Sequence, residues 1–426
     1  MLTYSTFLGV SMSRLSVMAT LFLLAFLFPV VARAQFVSPP PHVSPRDFAV
    51  MAWGDSPSDP EQLRLMKEVG LNISGFCRAE DADRVRAAGL ACFVSDPRAS
   101  GYDWEKMPTE DQIRPNITAL AREVGDHPAV LGFFLRDEPT ASLMPGLGRV
   151  ATLLQVVMPN TWPYVNLHPT YTSRTQLGTP DYEAYVRRLI ETVHPPFISY
   201  DNYSLVEGEM RDYFFTNLEI VRRVSLDTRT PFWNCILANA HYNLMEPSDA
   251  TFNLQVYGTL AYGGRGIQYY SYFTPAADNF RLGAIDQFGN RTPTWDMLRR
   301  INYQIHRLAP TLIKLRSTGV YHSPDVPAEG RPLAESRLVK QVETFTPSIH
   351  PPIPARFLIG EFVDQQEHPY LMIVNKDLKH SFLFRLHLKE ESRRLLRISS
   401  YSGREELVLG EITWLAPGGG VLLRID

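Results

Sequence analysis

Cysteine is scarce: Cys77, Cys92 and Cys235 are the only three in 426 residues. So few thiols build no disulfide framework, and their spacing fits no zinc site. Each lies in an apolar, strand-like segment, where a buried free thiol is expected. Glycine-rich phosphate loops are lacking too. Neither G-x-G-x-x-G nor G-x-x-x-x-G-K-[ST] occurs, which removes the usual nucleotide-binding sites. Without H-x-H or H-E-x-x-H spacing the chain offers no catalytic metal site, and no cofactor is expected. The missing G-x-S-x-G elbow leaves an esterase with little support. Charge of one sign is also lacking. The 42 basic and 45 acidic residues are interspersed and leave a net −3, so no basic stripe invites nucleic acid. Beyond the first 34 residues no apolar run is long enough to span a bilayer.

What is present is a globular composition, 45% hydrophobic and 20% charged, in a chain long enough for two domains or a large barrel with an appendage. Residues 1–34 have the form of an export signal. Arg14 precedes an apolar run from Val17 to Val31, and Val31-Ala32-Arg33-Ala34 matches a cleavage site with Gln35 as the mature start. The expected location is therefore periplasmic or extracellular; an uncleaved anchor is the alternative.

Eight short apolar segments recur: Phe48–Trp53, Leu71–Phe76, Leu90–Val94, Val130–Leu135, Pro163–Leu167, Phe197–Tyr200, Pro231–Leu237 and Gly266–Tyr272. Most lack polar alternation, as strands buried on both faces do. Helix-like stretches separate them, among them Glu61–Val69 behind Asp59-Pro60, Gly148–Met158, Glu209–Val224 and a last helix opened by Thr292-Pro293. This alternation predicts a (β/α)8 TIM barrel over residues 35–316. Prolines then crowd residues 317–354, which read as a linker with the first tail strands. Residues 355–426 read as a small β-sandwich, with Phe382, Phe384, Leu386 and Leu388 alternating with Leu383, Arg385 and His387.

In such a barrel the residues just past each strand form the active face. Here they include Trp53, Arg136-Asp137-Glu138, Asn166, His168, Asp201-Asn202-Tyr203, Asn239, His241, Tyr270 and Tyr272. The sharpest signal is Gly132–Pro139, an apolar strand ending in Asp137-Glu138-Pro139. Proline fixes the backbone after Glu138 and turns the chain outward. Strand alternation points Asp137 away from Glu138. The blander alternative is a surface acid pair capping the next helix.

A fourth strand ending in an acid-proline pair resembles the large clan of (β/α)8 glycoside hydrolases, whose general acid/base is a Glu at that place. Gly132–Pro139, Tyr200–Tyr203 and Leu260–Tyr272 also resemble a group of exported bacterial proteins described as like β-galactosidases. The resemblance covers about Phe48 to Leu315. It implies a carbohydrate substrate, hydrolysis by two carboxylates, and Glu138 as general acid/base. Two departures stand out. The clan carries Asn before its acid/base, where this chain has Asp137. The clan's nucleophile is a Glu at the end of strand seven, where this chain has Asn239 and His241.

Glycoside cleavage needs one protonated acid and one ionised carboxylate. The second carboxylate is then Glu246, in Asn243-Leu244-Met245-Glu246-Pro247, or Asp201. Trp53, Tyr203 and Tyr272 are candidates to stack on or orient a sugar. Asp137, Asn166, His168 and His241 are further candidate contacts. The missing strand-seven acid keeps a second hypothesis open, a barrel that binds carbohydrate without cleaving it.

Overall fold

The computed structural model describes residues 47–345, 353–390, 393–408 and 412–426. The expected export signal lies outside the described residues.

Eight parallel strands close into a barrel: β1 (Ala49–Ala52), β2 (Ile73–Cys77), β3 (Ala91–Ser95), β4 (Val130–Asp137), β5 (Trp162–Leu167), β6 (Ile198–Asp201), β7 (Phe232–Leu237) and β8 (Gly266–Tyr270). The ring order β1-β8-β7-β6-β5-β4-β3-β2 is sequential, so each strand pairs with its chain neighbours and β8 closes on β1. Eight principal helices follow the strands in turn: α1 (Pro60–Glu68), α2 (Ala82–Ala87), α3 (Glu110–Val124), α4 (Met144–Val157), α5 (Tyr182–Val193), α6 (Tyr213–Thr228), α7 (Asp249–Ala261) and α8 (Pro293–Leu312). This is the (β/α)8 barrel the apolar segments predict. Among the described residues no helix is long and apolar enough to cross a membrane.

Local chemistry sets the helix starts. The Asp59 carboxylate accepts from the Glu61 amide with Pro60 in the first turn, and the Thr292 hydroxyl accepts from the Thr294 amide beside Pro293. Two expected starts shift. α4 begins at Met144, four residues before Gly148, because Pro145 enters the first turn. α6 begins at Tyr213 rather than Glu209, because residues 205–210 form a small hairpin turned at Gly208, whose φ is 89°.

The barrel interior is filled rather than open. Ile73, Phe93, Tyr164, Phe197 and Trp233 pack inside it, with Phe197 and Trp233 stacked at 3.7 Å. Gly266 makes room for this layer, since a Cβ there would meet the Trp233 ring at 2.4 Å. Aliphatic faces of the helices seal the outside of the barrel.

The tail is a sandwich. One sheet has the order β9-β11-β12-β17-β14-β15, from Arg316–Ser323, Phe357–Val363, Pro369–Asn375, Gly420–Ile425, Leu395–Ile398 and Glu405–Leu407 respectively. The other has the order β10-β13-β16, from Val339–Phe345, Phe382–Leu388 and Ile412–Leu415. Side-chain alternation divides the larger sheet's duties. Phe357, Ile359, Leu371, Ile373 and Leu423 face the second sheet. Leu358, Met372, Val374 and Leu422 join the core of the barrel's helices, with α7 against β11 and β12. Close approach requires Gly360, where a Cβ would lie 2.2 Å from the Ala261 carbonyl oxygen.

Candidate active site

Above the aromatic layer lies a polar one. Tyr164 bonds to Ser199 at 2.9 Å and donates to Gln268, and Gln268 Nε2 donates to Ser199 Oγ at 2.9 Å. Ser199 Oγ donates to Asn166 Oδ1 at 2.8 Å. That bond fixes the Asn166 amide, whose Nδ2 donates to Asp137 Oδ1 and to Asp201 Oδ1, each at 3.1 Å. The two carboxylate oxygens therefore lie within twice that distance of each other. β4, β5 and β6 are ring neighbours, so one amide on the middle strand reaches an acid on each side.

Glu138 follows directly. Its amide donates to the Asn166 carbonyl at 2.8 Å, yet its φ is +43°, a left-handed conformation unusual for a residue with a side chain. That turn breaks strand alternation. Asp137 and Glu138 consequently both line the cleft, contrary to the expectation that Asp137 points elsewhere. Pro139 is held by Tyr185, whose hydroxyl donates to its carbonyl at 2.6 Å. His168 Nδ1 lies 3.3 Å from Glu138 Oε2.

The acids differ in surroundings. Burial first, then the charges of Glu138 and Asp137, raise the Asp201 carboxyl well above the usual range. Burial also pushes Asp137 up to about 6, against the Asn166 bond, which favours its charged form. The Glu138 side chain is more open, at 37% exposed. Burial and the Arg281 charge lower His241.

These acids stand at the carboxyl ends of the strands, in a cleft of about 720 Å³. Trp53, Asp137, Glu138, Asn166, His168, Asp201, Tyr203 and His241 all line it. Its wall is aromatic: Tyr203 stacks on Tyr270 at 5.3 Å, His241 on Phe280 at 4.4 Å, and Trp53 meets Tyr270 edge-on at 5.6 Å.

Two candidates lie elsewhere. Glu246 is not among the lining residues; its side chain, 60% exposed, pairs with Arg281 at 3.1 Å. Tyr272 is buried behind the wall, its hydroxyl accepting from Trp295 Nε1 at 3.2 Å, because β8 ends at Tyr270 and the chain turns. Asn239, two residues past β7, is fully buried and donates to Ser271 Oγ at 2.6 Å. Sequence reading passed over Tyr171, Tyr213, Tyr242 and Phe280, which also line the cleft. They come from loops and a helix start, where no period signals which way a side chain faces.

No protein-family model matches the chain, and no curated protein matches it in sequence. Solved structures match its fold. β-Galactosidase from Bacillus circulans sp. alkalophilus is similar with a TM-score of 0.63 and 8% identity, over 89% of this chain and 99% of that one. A glycoside hydrolase family 5 structure from Bacteroides vulgatus gives 0.53 and 12% identity, over 89% and 88%. β-Galactosidase from the psychrophilic Marinomonas ef1 gives 0.51 and 11% identity over 64% of this chain, which spans 63% of the length of that protein. At these identities the likeness is one of fold: the chain has the barrel fold of these glycoside hydrolases.

Proposed function

We propose that the protein is a glycoside hydrolase that cleaves a neutral poly- or oligosaccharide outside the cytoplasm. The observation that carries this reading is the convergence of Glu138, Asp137 and Asp201 on one aromatic-walled cleft at the barrel mouth. Glu138, the most accessible acid and the neighbour of His168, serves as general acid/base. Asp201 is the second carboxylate. The proton that burial and neighbouring charge retain on this cluster belongs to the group as a whole. Two-carboxylate cleavage requires the cluster to donate that proton to the leaving oxygen from Glu138, with Asp201 ionised.

Retention is the favoured stereochemical course. It is the course of the clan that the strand ending in Glu138-Pro139 resembles, in which the second carboxylate attacks the sugar carbon. Such enzymes keep their two carboxyl groups roughly 5 Å apart, against roughly 6.5–9.5 Å in inverting ones. Asp201 then attacks the sugar carbon, and Glu138 later draws a proton from water. Asn166 orients the aspartates. Among the described residues the lining holds carboxylates, imidazoles and tyrosines but no lysine or arginine to pair an acidic sugar, which suits uncharged sugar. The leader-like residues 1–34 support action after export.

Purified protein is expected to release reducing sugar from at least one member of a broad glycan panel, with retained configuration by proton NMR. Glu138→Gln and Asp201→Asn should each lower the rate at least a hundredfold. Full activity in either variant would overturn the assignment. One observation favours a second reading: β7 is followed by Asn239 and His241, with no acid where the resembling clan keeps its nucleophile. A carbohydrate-binding barrel without catalysis would bind members of that panel and release nothing.

A further inference from the structure

Tyr242 differs from most aromatic residues of the cleft. Trp53, Tyr203, Tyr270 and Phe280 are half buried, whereas Tyr242 is 65% exposed. Its φ is +49°, so a bulky side chain sits on left-handed backbone, an arrangement that costs free energy. Burial does little to offset that cost for an exposed ring. Asn279 holds the conformation instead. Its Oδ1 accepts from the Tyr242 amide at 2.6 Å, and its Nδ2 donates to the Tyr242 carbonyl at 3.1 Å. The two loops are clamped again by paired 2.9 Å backbone bonds between Ala240 and Arg281.

The ring is braced as well as placed. It meets His241 edge-on at 5.3 Å and Phe280 at 6.2 Å, and its hydroxyl donates to Asp278 at 3.3 Å. β7, which delivers it, lies three places round the ring from β4, which delivers Glu138. Tyr242, on the loop after β7, therefore lines the same cleft as the proposed acid but comes from a different part of the ring. An aromatic ring held open and rigid beside a sugar-cleaving centre suits the flat apolar face of a second sugar.

We infer that Tyr242, positioned by Asn279, is the platform of a sugar subsite beyond the cleaved bond, and that the enzyme selects oligosaccharides over simple glycosides. This rests on the glycosidase reading.

The test compares kcat/KM for a chromogenic aryl monosaccharide with that for β-linked gluco-, galacto- and manno-oligosaccharides of increasing length. Tyr242→Ala is expected to lose about tenfold on the best oligosaccharide, mostly through KM, and much less on the aryl substrate. Tyr242→Phe should restore the oligosaccharide rate, and Asn279→Ala should fall between. Equal losses on both substrates, no loss on the oligosaccharide, or failure of the Phe variant to rescue would overturn the inference. If the wild type cleaves nothing, the glycosidase reading falls, and calorimetry with the same oligosaccharides decides the platform separately. A Kd about tenfold weaker in Tyr242→Ala supports it; an unchanged Kd, or no binding by the wild type, refutes it.

Discussion

Asp137 places a functional carboxylate where the fold resists its charge. Burial raises it from 3.8 in the free residue to about 6. The folded protein thus binds this proton more tightly than the unfolded chain does between those two values. The group's contribution to stability is full below pH 3.8 and is lost as pH rises through about 6. A shift of about two units at about 1.4 kcal/mol each makes that loss about 3 kcal/mol at neutral pH. Asp137→Asn keeps the shape and leaves Oδ1 as an acceptor for Asn166, but carries no charge. It also removes one of the charges that raise Asp201, which acts in the same direction. The variant is expected to exceed the wild type in stability by up to about 3 kcal/mol near pH 7, with the gain vanishing near pH 4. Urea unfolding followed by tryptophan fluorescence, repeated across that range, measures the difference. An Asn variant no more stable at neutral pH, or a gain independent of pH, would refute the reasoning. The resembling clan carries Asn at this place, so the departure to Asp has a cost in stability that the clan's residue would not incur.

Two further predictions test other parts of the structure. Glu246→Gln should keep kcat/KM within about threefold and lower stability by less than about 1 kcal/mol, because it removes only an exposed ion pair to Arg281; a loss matching that of Asp201→Asn would instead assign Glu246 the second carboxylate. Gly360→Ala should destabilise the whole chain by more than about 2 kcal/mol, since its Cβ would strike the Ala261 carbonyl where the sandwich meets α7; thermal unfolding unchanged from wild type would show that this contact yields without cost.

Much of the fold follows from local sequence. Continuous apolar runs bounded by helix starts give eight buried strands and their order, because strands in a closed parallel barrel are covered on both faces. Asp59-Pro60 and Thr292-Pro293 fix two helix starts through bonds a few residues long. The alternation through residues 382–388 marks a half-buried strand, and Phe382 and Phe384 face the sandwich core as that pattern requires. Glu138 is legible too, since a strand that ends in an acid-proline pair has one place to put that acid. Where locality ends, so does the reading. The hairpin at residues 205–210 depends on a glycine turn just before an apparent helix and takes that helix's first two residues.

Tertiary structure alone decided the company Glu138 keeps. Asp137 joins it because a left-handed backbone at Glu138 overrides strand alternation. Asp201 meets Asp137 because ring closure sets β4, β5 and β6 side by side and one amide on β5 spans both acids. Glu246 is one of the two second carboxylates the sequence offers, yet its loop turns it toward Arg281. Tyr272 stays buried because β8 ends two residues before it, while Tyr242 and Phe280 reach the cleft from loops pinned by Asn279 and Arg281. Sequence determined which residues form strands and helices, since those periods are properties of neighbouring residues. Which acids and aromatic rings face one another depends on strand register and loop closure, which join positions far apart in the chain.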